Sequence, residues 1–185
     1  PDETREPSNQ LRVTRIGTHA VSEGSSTSLW DRLRTHRGAQ RGTYEGGGNH
    51  RGSVFRKRVG EAIIERDGLQ DEYPEWGIGS SAGRELRLEE LEMERRVSEY
   101  IRDLPFLWVD VDDEPGPDSD RAYIERNAIA LVSNLNEESL DPRDEEWLGH
   151  HSPVTDIEQS GLWNINHVAE ECRPEFLETL EGYVN

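Results

Sequence analysis

The sequence is short of several things at once. Cys172 is its only cysteine, which excludes an intramolecular disulfide and a cysteine-based zinc site. Lys57 is the only lysine among 21 basic residues, so the other 20 are arginines. No apolar run approaches the ~18 residues a membrane helix needs, and no signal-peptide pattern is present. A membrane partner is therefore not expected, and a cytoplasmic location is. No internal repeat is found.

What the sequence does have is acid. Its 185 residues carry 39 acidic and 21 basic side chains, a formal net charge of -18. As a total, that repels nucleic acid and anionic membranes alike. The charge is unevenly spread, however. Residues 1–60 hold 11 basic and 6 acidic side chains, net +5, while residues 61–185 hold 10 and 33, net -23. Dense carboxylate, one lysine and modest hydrophobicity (32%) fit a halophilic protein, whose acidic coat keeps it hydrated in brine. A disordered acidic chain is the alternative reading. Five Trp, five Tyr, three Phe and patterned apolar stretches speak for a fold.

Leu11 to Ile16 alternates apolar and polar, which predicts a strand ending at Gly17. Ser28 to Asp31 has capping-box spacing, predicting a helix to about His36 with Leu29 and Leu33 inward and Gly38 as its stop. Residues 38–52 hold six glycines and read as a mobile loop. Phe55, Val59, Ala62 and Ile63 mark a second helix. Leu86, Met93, Val97, Tyr100, Ile101 and Leu104 mark a long one over 84–104. Phe106 to Val111 reads as a buried strand, and Asp118 or Ser119 as the cap of a helix containing Ile124, Ala128, Leu131 and Val132. Short helices are expected near 165–171 and 174–184. Trp147, Leu148, Leu162, Trp163, Phe176, Leu177 and Leu180 suggest that the last segment packs on the rest.

Arg32 and His36 lie four apart, on one face of the predicted helix. Arg can grip a phosphate with two prongs and His can donate or accept, although a solvated face has the same spacing. The stretch from Arg32 to Arg58 has eight basic residues against Glu45, net +7. It fits phosphate contact or plain surface. Glu125, beside an apolar stripe, suits a lone protein ligand for Mg²⁺ or a buried-edge salt bridge. Asp110, Asp112 and Asp113 resemble the acidic half of some nuclease sites, but no lysine follows and a solvated loop explains them. His150, His151 and His167 lack metal-ligand spacing and read as surface or capping residues.

Taken in order, these pieces resemble the GIY-YIG endonuclease superfamily. They are Arg15-Ile16-Gly17, then Leu29 to His36 with its Arg-x-x-x-His step, then Glu125 to Leu131, ending in Asn134-Leu135-Asn136. The run from Arg15 to Arg37, with Gly46 to Val59, is similar to a prokaryotic subgroup with an Arg-Val-Gly-type triplet and a Gly-Gly-Asn-His-Arg-Gly loop. The resemblance implies an α+β fold, a small antiparallel sheet flanked by helices. The nuclease core would span 1–136 with a helical insertion at about 38–104, and 137–185 would be a C-terminal extension packed on it. It implies a metal-dependent DNA endonuclease using Mg²⁺ or Mn²⁺. Arg32 would hold the scissile phosphate, Glu125 the metal, and His36 the family's His/Tyr position. Asn136 would order the site, with Asn134 as the fallback. DNA contacts are expected from Arg15, Arg34, Arg41, Asn49, His50, Arg51 and Lys57. Arg15 stands where the family usually has a second tyrosine. Only residues 1–10 precede the second strand and none is a tyrosine, so a chain truncated at its start, without the Gly-Ile-Tyr strand, is expected. The alternative is a non-catalytic nucleic-acid-binding module derived from such a nuclease.

Overall fold

The computed structural model describes residues 4–5, 10–135 and 139–184. Its elements in chain order are β1 (Thr4–Arg5), β2 (Gln10–Leu11), α1 (Leu29–Arg37), α2 (Val54–Asp67), α3 (Arg84–Glu89), α4 (Leu91–Asp103), α5 (Asp120–Val132), α6 (Thr155–Ser160) and α7 (Phe176–Val184), with short 3-10 turns at His50–Gly52 and Leu148–His151.

The expected antiparallel sheet is not there. Among the described residues the only ladder is β1 with β2, pairing Thr4 with Leu11 and Arg5 with Gln10. The fold is helical. The alternation after Leu11 misled because its phase is inverted. Arg12 and Thr14 are buried, while Leu11 and Val13 face solvent at 55% and 42% exposure. Without a partner strand nothing covers the apolar set. The segment instead lies against the turn at 161–164. Trp163 N–H donates to the Thr14 carbonyl (2.8 Å), and the Asn164 side chain both accepts from Ile16 N–H (3.0 Å) and donates to its carbonyl (2.8 Å). Phe106 to Val111 is likewise no buried strand. Leu107 is 99% exposed and its neighbours Phe106 and Trp108 are exposed too.

The helices follow the apolar periodicity. Ser53 caps α2, its side chain accepting from Arg56 N–H, and Gly68 ends it in the left-handed region. Phe55, Val59, Ala62 and Ile63 are all buried, against Met93, Val97 and Tyr100 of α4. The expected single helix over 84–104 breaks at Glu90, which closes α3 and opens α4. Its buried carboxylate is drawn to Arg51. Trp147, Leu148, Ile157 and Trp163 complete this core. Trp163 stands edge-on to Tyr100 at 5.9 Å and to Trp147 at 5.4 Å. Burial of side chains this large contributes about 2–3 kcal/mol each. A smaller cluster of Ile129, Leu162 and Val168, with Ile16 and Val132, fastens α5 and the 11–17 segment.

The helix expected near 165–171 is absent. His167 has φ 65°, in the left-handed region that a helix cannot pass through, and α6 lies earlier instead. The glycine-rich stretch is a packed clamp rather than a mobile loop. Ala39 N–H donates to the Gly47 carbonyl (2.6 Å) and Gly46 N–H to that of Ala39 (3.0 Å). A β-carbon at Gly38, where φ is 82°, would stand 2.5 Å from the Gly47 oxygen, and one at Gly48 2.3 Å from Arg56 Cζ. Those glycines permit close approach, not freedom.

Candidate active site

Helix α1 begins with a capping box. Ser28 Oγ accepts from Asp31 N–H (3.1 Å) and the Asp31 carboxylate from Ser28 N–H (3.1 Å). The helix buries none of its residues, and it presents Arg32 and His36 to the same side. His36 Nδ1 lies 2.8 Å from Ser53 Oγ, and its ring stands edge-on to Phe55 at 5.5 Å. The Arg15 guanidinium lies over the Phe55 ring at 4.9 Å. One phenyl ring at the start of α2 thus carries both cleft groups.

Burial, reinforced by the positive charges of Arg15, Arg32 and Arg56, pulls the His36 imidazole down to about 3. It is therefore a neutral ring at neutral pH. Burial and the neighbouring Arg32 likewise lower Arg15 to about 10, with Glu125 opposing them. Arg32 is exposed, and its side chain makes no hydrogen bond or ion pair with another described residue.

Glu125 projects from α5 beside this group. Its Oε1 accepts from Thr18 N–H at 3.0 Å. Burial raises its pKa, against the pull of the Thr18 N–H and the charges of Arg15, His167 and Arg32. Gly17 separates it from Arg15. A β-carbon there would stand 3.5 Å from Arg15 Nη2 and 4.0 Å from Glu125 Oε1. The bare glycine leaves the space between acid and arginine open. A cleft of about 400 Å³ runs from Arg15, Arg32 and His36 past Ser53, Val54 and Phe55 to Lys57, Gly77 and Ser80.

Of the remaining residues singled out from the sequence, His50, Arg51 and Lys57 line the same cleft, but their side chains are engaged within the protein. His50 is buried, stacked on Trp76 at 3.8 Å. Its Nε2 accepts from Gly77 N–H (3.0 Å), so Nδ1 carries the proton and donates to Glu94 (3.0 Å). Arg51 forks onto Glu90 (2.5 and 2.9 Å) and donates to the Ile78 and Glu75 carbonyls. Asn49 caps the 3-10 turn through Arg51 N–H. Lys57 Nζ donates to the Gly77 carbonyl (2.7 Å) at the far end of the cleft. Arg34 pairs with Asp31 on the surface (2.8 Å), and Arg41 is exposed. Asn136 lies outside the described residues. Asn134 braces a loop, donating to the Asp141 carbonyl (2.9 Å) and accepting from Arg143 N–H (2.8 Å).

Sequence reasoning missed four participants. Ser53 was visible as a cap ahead of Val54 and Phe55, and Phe55 itself was read only as core. Thr18 acts through its backbone, which no residue pattern announces. His167 gives no spacing signal, yet its charge acts on Glu125 and its Nδ1 meets Glu170 Oε1 at 2.8 Å.

Among the described residues no three His, Cys, Asp or Glu side chains converge as a metal cage. One oxygen of Glu125 is engaged by Thr18, and its other makes no hydrogen bond to a described residue. A single carboxylate of this kind suits Mg²⁺ or Mn²⁺, which retain waters and take further oxygens from a phosphate, rather than zinc. No helix among the described residues is long and apolar enough to cross a membrane. A family model described as the GIY-YIG domain matches residues 1–185. No curated protein and no solved structure matches the chain.

Proposed function

The chain belongs to the GIY-YIG domain family, whose members are nucleases, and on that premise we propose that it is a metal-dependent DNA endonuclease working at the cleft of Arg15, Arg32 and His36, with Glu125 beside it. The observation that carries this reading is an unmatched positive wall beside one half-buried carboxylate, in a protein of net charge -18. We place the nuclease core in residues 1–136 and read 137–185 as an extension on it, acting on DNA in the cytoplasm.

In phosphodiester hydrolysis a water oxygen forms a new bond to phosphorus and one ester P–O bond breaks. The water gives up a proton and the leaving oxygen takes one. Negative charge gathers on the phosphoryl oxygens in the transition state, so a guanidinium already in place there lowers the barrier. Arg32 has that role, and its lack of an internal partner leaves both prongs available. His36 is held by Ser53 through Nδ1, leaving Nε2 as its free nitrogen. A neutral imidazole with so low a pKa is a weak base, so it orients the attacking water by hydrogen bonding. Glu125 would hold Mg²⁺ or Mn²⁺, which supplies a Lewis acid for a phosphoryl oxygen and the leaving oxygen. Burial raises the Glu125 pKa against the pull of the Thr18 N–H and the nearby positive charges, and a bound cation would favour its ionised form further.

The test is nicking of supercoiled plasmid with Mg²⁺ across a wide salt series. Glu125→Ala is expected to abolish nicking while gel-shift binding of DNA stays near that of the unaltered protein. Unchanged cleavage would remove Glu125 from the site. Binding without cleavage by the unaltered protein would leave a non-catalytic nucleic-acid-binding module.

A further inference from the structure

We infer that Arg15 is a second catalytic arginine, which grips the scissile phosphate together with Arg32 rather than contacting flanking DNA backbone. The inference rests on the nuclease reading and deepens it.

Arg15 is half-buried, stacked on Phe55 at 4.9 Å, and makes no hydrogen bond or ion pair with any described residue. That is out of keeping with this protein. Other arginines withdrawn from solvent find oxygen acceptors: Arg51 meets Glu90, Arg56 meets Glu94, Arg121 meets Asp113 and Arg12 donates to the Gly161 carbonyl. A guanidinium that loses water without gaining an acceptor is costly. Such an arrangement persists when an external anion completes it.

The position specifies which anion. Arg15 and Arg32 lie close enough to depress Arg15, and both act on His36 and on Glu125. Both arginines line the same cleft as His36. Arg15 and Glu125 flank the open backbone of Gly17. A group bound between the arginines and within reach of a cation on Glu125 must be the phosphate that reacts. Two guanidinium groups also suit the chemistry. A diester carries one negative charge, and more negative charge develops on its oxygens as water adds. A second preorganised cation therefore favours the transition state over the ground state. The stack on Phe55 fixes the plane of the Arg15 fork in advance, which is what two-pronged recognition requires.

The experiment separates rate from binding. Single-turnover cleavage is measured at saturating DNA with Mg²⁺, and Kd is measured with Ca²⁺ in its place. Arg15→Ala is expected to lower the cleavage rate ~10²–10³-fold with Kd unchanged. Guanidinium ion added at low millimolar concentration is expected to restore part of that rate. Arg15→Lys keeps the stem over Phe55 and the charge, so it should melt like the unaltered protein yet cleave more slowly for want of the second prong. A loss confined to Kd, or a full rate in both variants, would overturn the inference while cleavage by the unaltered protein still stood. A lowered melting temperature with no guanidinium rescue would reassign Arg15 to the fold. Absence of cleavage by the unaltered protein would remove the nuclease reading and this inference with it.

Discussion

Two groups of arginine and histidine lie in the first third of the chain and differ in one respect. His50 and Arg51, which also line the cleft, and the buried Arg56 are each matched to acid. Arg56 and His50 share Glu94, and Arg51 forks onto Glu90. In the cleft, His36, Arg15 and Arg32 have no ion pair to a described carboxylate. Both groups come from the same basic first third of the chain, and sequence alone treats them alike. In a protein with acid to spare, absence of a carboxylate partner is informative. The matched group braces the cleft, and the unmatched group leaves its positive charge without a carboxylate partner among the described residues.

The largest expected effect is on the matched side. Glu94→Ala leaves Arg56 buried without its counter-charge and His50 Nδ1–H without its acceptor, and it should cost about 3–5 kcal/mol of stability in denaturant unfolding. Glu94 keeps a lowered pKa because the His50 hydrogen bond and Arg56 charge outweigh the cost of its burial. A loss below about 1 kcal/mol would place it with ordinary surface pairs and dissolve the contrast. Next comes the unmatched side. Arg32→Ala should reduce plasmid cleavage ~10²–10³-fold, as loss of a preorganised oxyanion contact does. Its stability should move by no more than about 0.5 kcal/mol, as for an exposed position. Normal cleavage would take Arg32 out of the site. A third effect is on pH. His36 is depressed from the usual 6.5 to about 3, so its contribution to stability is complete above pH 6.5 and fades as pH falls toward 3. His36→Asn should therefore lose less stability than the unaltered protein between pH 7 and pH 4 in denaturant melts. Parallel losses would mean that His36 takes up its proton in the folded protein as readily as in the unfolded chain.

What could be read from the sequence was local. The Ser28 box, the Gly38 stop and the face of α2 from Phe55 to Ile63 depend on neighbours within a turn or two. The strands failed because a strand is made by its partner. Alternation from Leu11 to Ile16 could not reveal that Asn164 and Trp163, far along the chain, would take its backbone groups. Phe106 to Val111 has β-type residues, and among the described residues no strand pairs with it. For the candidate site, the four-residue step from Arg32 to His36 was legible because a helix enforces it. The locking of His50 and Arg51 was not, because Glu94 and Glu90 lie some forty residues away. A loop rich in glycine reads as slack until Gly48 is seen against Arg56.

The scarcity of lysine has a practical sequel. Lys57, held on the Gly77 carbonyl at the rim of the cleft, is the only side-chain amine in the protein. Amine-directed chemistry, whether a reporter dye, a crosslinker or an acetyl donor, therefore has a single side-chain address, and it lies where the substrate would pass. A label there would signal occupancy of the cleft without any engineered handle.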